Sequence, residues 1–328
     1  MINVFITYRC NLACGYCFAR ELGDSYPADM QADDFYKLLQ WMKGCCLPAV
    51  GFIGGEPTLH AGLAGMVEAA KDAGIAPVLF TNGLFAPELA ERLARSVSNF
   101  VVNYNDPAGY TVRQRRQVHE ILWRLSQLGA RITFSKNFSP DNLDYEYLLE
   151  GAVRYGVRAV RYDLSRPAQS AANDYFPMEA IPRVWDHILS FVSRSETLGL
   201  RTGLDCCARL CDLSPDQRHY LERVSMKFSG ICHASMDIHP DLSASYCLPM
   251  HDVRVPDATA FVDSFSLMGH FAEMVRSRRF EHVSAECRDC PEFKRTCQGG
   301  CMAVKRHAAV KISPIMPPEM RRVHYETI

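Results

Sequence analysis

At 328 residues, with 48% hydrophobic and 22% charged side chains, the chain can bury one large core, or a barrel-sized unit and a small second one. A net charge of −1 gives no electrostatic reason to bind nucleic acid or an anionic membrane. No apolar stretch approaches the roughly 18 residues of a membrane span, and Ile2 begins a strand with no basic n-region or cleavage site before it. The expectation is a cytoplasmic protein whose fourteen cysteines serve metals or clusters instead of disulfides.

The first predicted strand, Ile2–Thr7, runs directly into CNLACGYC, which spaces Cys10, Cys14 and Cys17 as C-x3-C-x2-C with Tyr16 before the last thiol. Three thiolates on one short loop can hold three irons of a [4Fe-4S] cube and leave the fourth open to a ligand. A zinc loop is the competing reading, and it lacks an obvious fourth ligand nearby. Further strands are predicted at Ala49–Ile53, Pro77–Thr81, Phe100–Tyr104, Arg131–Ser135 and Ala159–Asp163. Helical stripes lie between or after them: Phe35, Leu38, Leu39, Met42; then Val118, Ile121, Leu122, Leu125; then Ile181, Val184, Trp185, Ile188, Leu189, Val192. Six such alternations imply a parallel sheet with right-handed crossovers. Strand count does not separate a doubly wound sheet from an incomplete (β/α) barrel, but both place chemistry beyond the carboxyl ends of the strands.

The polar motifs fall at those ends. After the second strand, Gly54-Gly55-Glu56-Pro57 offers paired glycines that admit a ligand to the backbone, and a carboxylate able to meet an ammonium group. Thr81-Asn82-Gly83, Asn103-Tyr104-Asn105 and Ser135-Lys136-Asn137 close the third to fifth strands. Asp163 and Arg166 are expected at the barrel mouth and Arg161 within its strand. Cys45 and Cys46 read as ordinary small apolar residues, and the basic run Arg113, Arg115, Arg116 as a solvated helix face.

CNLACGYC followed one strand later by GGEP closely resembles the signature of the radical S-adenosylmethionine (SAM) enzymes. That resemblance implies an α/β fold, a partial (β/α)6 TIM-type barrel over residues 1–200, with a [4Fe-4S] cluster on Cys10, Cys14 and Cys17. It further implies SAM bound by Tyr16, Gly54, Gly55, Glu56, Pro57, Asn82, Asn103 and Ser135, the GGEP residues at the methionine amino group. An external electron donor of flavodoxin or ferredoxin type would be needed.

Composition shifts near residue 200, and nine of the fourteen cysteines lie between Cys206 and Cys301. The clearest array is Cys287-x2-Cys290-x6-Cys297-x3-Cys301. Upstream, Cys232 and Cys247 bracket HASMDIHPDLSASY, which reads as two short strands around a Pro-Asp turn. The arrangement resembles the SPASM extension of radical SAM enzymes, a small cysteine-rich domain (here residues 201–328) that ligates two auxiliary [4Fe-4S] clusters. In the common arrangement the counterpart of Cys301 joins the upstream cysteines, and those of Cys287, Cys290 and Cys297 hold the other cluster. This chain departs from it, with six residues instead of five in the middle gap and no cysteine after Cys301. Cys206 and Cys211 are the expected replacements, with Cys207 a packing thiol. An incomplete second cluster with an open iron or His307, and a pair of zinc sites, are the alternatives.

The resemblance implies that SAM is cleaved to methionine and a 5′-deoxyadenosyl radical, which takes hydrogen from an unreactive C–H bond. It points to an oxidoreductase that modifies a ribosomally made peptide (RiPP maturation), by side-chain cross-linking above all. Only nine residues precede Cys10, so leader recognition is expected from a separate protein or from the barrel itself. A radical SAM dehydrogenase of a small molecule is the runner-up, and a non-catalytic iron–sulfur electron-transfer protein the alternative of another class.

Overall fold

Alternating β-rich and amphipathic stretches fold as their periods demand in a computed structural model, which describes residues 1–312 and the side chains of residues 1–308. The parallel strands are β1 (Ile2–Thr7), β2 (Ala49–Gly54), β3 (Ala76–Thr81), β4 (Asn99–Asn103), β5 (Ile132–Phe138), β6 (Ala159–Leu164) and β7 (Arg201–Leu204). Helices α1 (Ala32–Gly44), α2 (Leu63–Asp72), α3 (Pro87–Ala94), α4 (Val112–Gln127), α5 (Glu146–Tyr155) and α6 (Ile181–Thr197) make the crossovers. The sequence finds the first six strands, although β5 runs three residues past the expected end. It misses β7, whose four residues carry the alternation beyond residue 200. On α1 and α4 the expected stripes are buried. On α6 Leu189 is only half-buried, and Phe191 takes its place in the core.

Strand order is β10-β9-β8-β1-β2-β3-β4-β5-β6-β7, so β7 and β10 are the two ends of one open sheet. The last three strands come from the cysteine-rich region: β8 (Asp237–Ile238), β9 (Ala244–Ser245) and β10 (Arg254–Val255). The first two are the expected pair around Pro240-Asp241, and β8 docks parallel to β1. Asn3 on β1 donates to the carboxylate of Asp237 at 2.8 Å, and Asp237 is itself buried. The cysteine-rich region therefore continues the barrel's own sheet. It adds helices α7 (Pro215–Val224), α8 (Ser264–Met274) and α9 (Met302–Ile312).

Curvature shows in a contact across the inside of the barrel. The Arg161 guanidinium lies 4.8 Å from the ring centroid of Phe80, although β6 and β3 are three strands apart in the sheet. Among the described residues no helix is long and apolar enough to cross a membrane.

Candidate active site at the barrel mouth

The CNLACGYC loop leaves β1 and is gripped by the ends of neighbouring strands. Gly55 N donates to Thr7 O at 2.9 Å and Glu56 N to Arg9 O at 2.8 Å. Those bonds need bare glycines. A Cβ on Gly54 would lie 2.2 Å from Thr7 O, and one on Gly55 would lie 2.3 Å from Arg9 O. In the structure the pair lets the CNLACGYC loop's own backbone approach closely. From β3, Asn82 Nδ2 donates to Asn11 Oδ1 at 2.7 Å, while Asn11 Nδ2 donates to Leu84 O at 2.9 Å. From the segment after β6, Asp174 N bonds Gly15 O and Asn173 Nδ2 bonds Tyr16 O, both at 3.0 Å. A side chain at Gly15 would strike the Asp174 carboxylate.

Glu56 is bonded within the protein. Its carboxylate is 1% exposed and accepts from Thr58 N (3.1 Å), Thr58 Oγ1 (2.7 Å), Thr81 Oγ1 (2.8 Å) and Asn82 N (2.7 Å). Burial raises its pKa and the four donors oppose the rise. The side chain ties the short turn Pro57–Leu59 to the end of β3. Pro57 is buried at the start of that turn. Asn82 is likewise engaged: its Oδ1 accepts from Leu84 N at 2.9 Å.

The other candidates line the barrel. Asn103, Ser135 and Arg161 occupy one register row across β4, β5 and β6 and so share a face. Asn103 Nδ2 donates to Tyr16 OH at 2.7 Å, and that hydroxyl donates to Asn105 Oδ1 at 2.5 Å. Asn103 Oδ1 is buried without a hydrogen-bond partner, an acceptor left for a donor outside the protein. Ser135 is half-buried with no side-chain bond among the described residues. Arg161 is paired with Asp205 at 2.7 Å. Arg166 does not face the mouth: it is 4% exposed, paired with Asp163 at 3.0 Å, and turned toward Cys206, Cys207 and Cys301.

Of the three loop thiols Cys10 is exposed and Cys14 and Cys17 are half-buried. Burial raises the pKa of Cys10, and its two partners are close enough to raise it further. Asn105 Nδ2 lies 3.9 Å from Cys14 Sγ. Among the described residues no three His, Cys, Asp or Glu side chains are placed to hold a single metal ion. A cube spreads its thiolates over separate irons, so three loop thiols facing the strand ends suit it, and the orphaned Asn103 acceptor suits a polar ligand beside it.

Sequence reasoning also missed a ring stack beneath the loop. Tyr8 and Tyr26 stack at 5.2 Å, and Tyr26 and His239 at 4.2 Å. Tyr8 OH is bonded to His239 Nδ1 at 2.7 Å, and Tyr26 OH to His251 Nε2 at 2.5 Å. Burial pushes His239 down to about 3, so the imidazole is neutral. The β1–β8 pairing helps bring these residues, distant in the chain, together.

The architecture is that of an open parallel α/β barrel with chemistry at the carboxyl ends of its strands. Two solved structures share it over 92% of this chain: Streptococcus suis SuiB bound to S-adenosylmethionine (TM-score 0.67, 15% identity, 72% of that chain) and anSMEcpe with bound AdoMet (0.65, 17%, 88%). Residues 4–124 match the model of the Radical SAM superfamily. The chain thus carries a radical SAM domain, followed by a cysteine-rich region. Its curated relatives include the AdoMet-dependent heme synthase of Nitratidesulfovibrio vulgaris, 32% identical over 92 residues, which are 28% of this chain and 25% of that protein. The S-adenosylmethionine-dependent nucleotide dehydratase of Selenomonas ruminantium is 35% identical over 96 residues, 27% of this chain and 34% of that protein. The matched stretch thus spans only a quarter to a third of these relatives.

Proposed function

We propose that the protein is a radical SAM/SPASM oxidoreductase that modifies a peptide side chain, through a barrel over residues 1–200 and two auxiliary [4Fe-4S] clusters in residues 201–328. One observation carries the reading: the CNLACGYC loop is clamped by Gly54-Gly55-Glu56 at the mouth of a parallel barrel. Cys10, Cys14 and Cys17 would hold the first cluster, and Asn103, Ser135 and Tyr16 would grip SAM. When bound, cluster and SAM supply a 5′-deoxyadenosyl radical for hydrogen abstraction. The residues of this chain do the positioning. Asn103 Oδ1 offers an acceptor for a hydroxyl, Tyr16 is held by Asn103 and Asn105, and Glu56 keeps the turn rigid. Arg161 and Asp205 present a paired cation and anion from the barrel wall to an incoming substrate.

The peptide reading draws support from the neighbours in fold, since SuiB is also solved bound to precursor peptide SuiA, and anSMEcpe with AdoMet and the Kp18Cys peptide. The sequence relatives favour a second reading, a small-molecule substrate, because a heme synthase and a nucleotide dehydratase are among them. Both readings place the protein in the cytoplasm with an external electron donor.

The test is anaerobic incubation of reconstituted protein with SAM and a strong reductant. 5′-Deoxyadenosine should form with the wild type and not with Cys10→Ala; equal yields from the two would end the enzyme reading. Side-chain-deuterated peptides then separate the substrate classes. Deuterium in 5′-deoxyadenosine with loss of two hydrogens from the peptide supports maturation, and no transfer from any peptide favours a small molecule.

A further inference from the structure

The stretch DCCARLC (Asp205–Cys211) lies between the two sets of later thiols. Ala208 N donates to Ser229 O at 2.8 Å, and Gln298 N donates to Gly230 O at 3.1 Å, so three backbone segments run side by side. They are packed tightly. A Cβ on Gly230 would lie 2.9 Å from Leu210 Cγ and 3.1 Å from Cys297 Cα. Cys211, next to Leu210, is thereby carried to Cys287 and Cys297, which are near enough to bear on its charge. Arg209 sits beside Cys211 and Cys287 as well.

Cys207 goes the other way. It is 4% exposed, and Gln298 Nε2 lies 3.9 Å from its sulfur. The same Gln298 side chain, fully buried, accepts from Cys232 N at 3.1 Å, so one amide spans both residues. Tyr246 OH donates toward Cys232 Sγ at 3.7 Å, and Cys247 follows Tyr246 directly. Cys301 stands three residues after Gln298 and lies within electrostatic reach of Cys232 and Cys247. Cys206, the expected ligand, is half-buried with its thiol against the Asp163 carboxylate, and Cys301 is also within electrostatic reach of it.

We propose that DCCARLC divides its thiols between two clusters: Cys207 completes a set with Cys232, Cys247 and Cys301, Cys211 completes a set with Cys287, Cys290 and Cys297, and Cys206 ligates neither. Cys211 then fills the place of the cysteine that does not follow Cys301. Gln298 acts as a positioning residue, and its amide donates toward a ligand sulfur, an interaction of the kind that tunes cluster potential. The proposal rests on the auxiliary clusters of the proposed function, and its test keeps the two apart.

Full-length protein with Cys10, Cys14 and Cys17 all changed to Ala is reconstituted anaerobically, and its iron is counted and examined by Mössbauer spectroscopy. Two cubes predict about eight irons per chain in this parent. Adding Cys206→Ala should leave that number unchanged. Adding Cys207→Ala or Cys211→Ala should each remove about four, or convert one cube to a three-iron form. Loss of a cluster in Cys206→Ala with retention in Cys207→Ala would overturn the division, while leaving two clusters in place. A parent that binds no iron would instead overturn the auxiliary clusters themselves. Should Cys207→Ala misfold, Cys207→Ser and Cys206→Ser decide by electron paramagnetic resonance of the reduced parent: only the former should shift a cluster's g-values, and the reverse result refutes the assignment.

Discussion

The two thiol-bearing regions are built in opposite ways. The CNLACGYC loop is held mainly through backbone and small residues, with Cys10 exposed and Gly15, Gly54 and Gly55 at points of contact too close for a side chain. The later region is held by buried polar side chains. Cys207, Cys287 and Cys297 are buried, and around them Gln298 and Lys305 are each at most 1% exposed. Lys305 Nζ donates to Gln298 O at 2.8 Å and Arg279 O at 2.5 Å, and burial lowers its pKa. The difference suits the two tasks proposed above: a site that would bind and release a cofactor needs an open face, while a site that would only pass electrons is best kept dry and rigid.

The comparison breaks most sharply at Gly55. Gly55→Ala puts a methyl against Arg9 O and Tyr8 O. It should cut 5′-deoxyadenosine formation on the order of 10²-fold or more, while iron in the later region stays bound. An equal loss of iron from both regions would show that they are not independent.

A smaller effect is expected at Glu56. Glu56→Gln turns an amide NH2 toward groups that now donate to the carboxylate. It should cost about 2–3 kcal/mol in denaturant unfolding and weaken SAM retention without changing the later thiols.

The barrel wall supplies a further comparison. Lys136 is 2% exposed, donates to Asn142 Oδ1 (2.6 Å) and Tyr147 OH (3.0 Å), and is pushed by burial down to about 8. Its folded pKa lies below its unfolded one, so between about pH 8 and 10.5 the unfolded chain binds more protons and stability rises with pH. Lys136→Met should flatten that slope and stabilise the protein near pH 7 by about 1 kcal/mol, after the lost hydrogen bonds are counted. Urea unfolding at two pH values measures both.

The smallest change is Tyr8→Phe, which removes the bond to His239 beneath the loop. About 1 kcal/mol of stability should go, with iron content unchanged in both regions. A loss of the first cluster would show that the ring stack sets the loop's geometry.

Much of the barrel was legible because its signals are local. The apolar period of α1 and α4 and the β-branched runs of β2 and β4 act over a few residues, and neighbours in sequence enforce them. β7 was missed because four residues, RTGL, carry little periodicity. The polar strand ends were legible as a class, but not the bonds they make within the protein. Asn103 faces the barrel with an acceptor to spare, whereas Glu56 and Asn82 are committed inside the protein. Asn11 lies within the cluster motif itself and went unremarked, since only its partners on β3 give it a role.

The sequence by itself determined that Cys10, Cys14 and Cys17 lie on one loop, because eight consecutive residues keep their thiols close whatever surrounds them. It also determined the alternation that makes the barrel. Tertiary structure alone decided which of two adjacent cysteines turns inward. Cys206 and Cys207 are equivalent in composition and spacing, but Gln298, which meets only Cys207, stands 91 positions away in the chain. A side chain's direction is set by what packs against it, and Gln298 is brought to Cys207 by backbone bonds through a third segment, Gln298 N to Gly230 O and Ala208 N to Ser229 O.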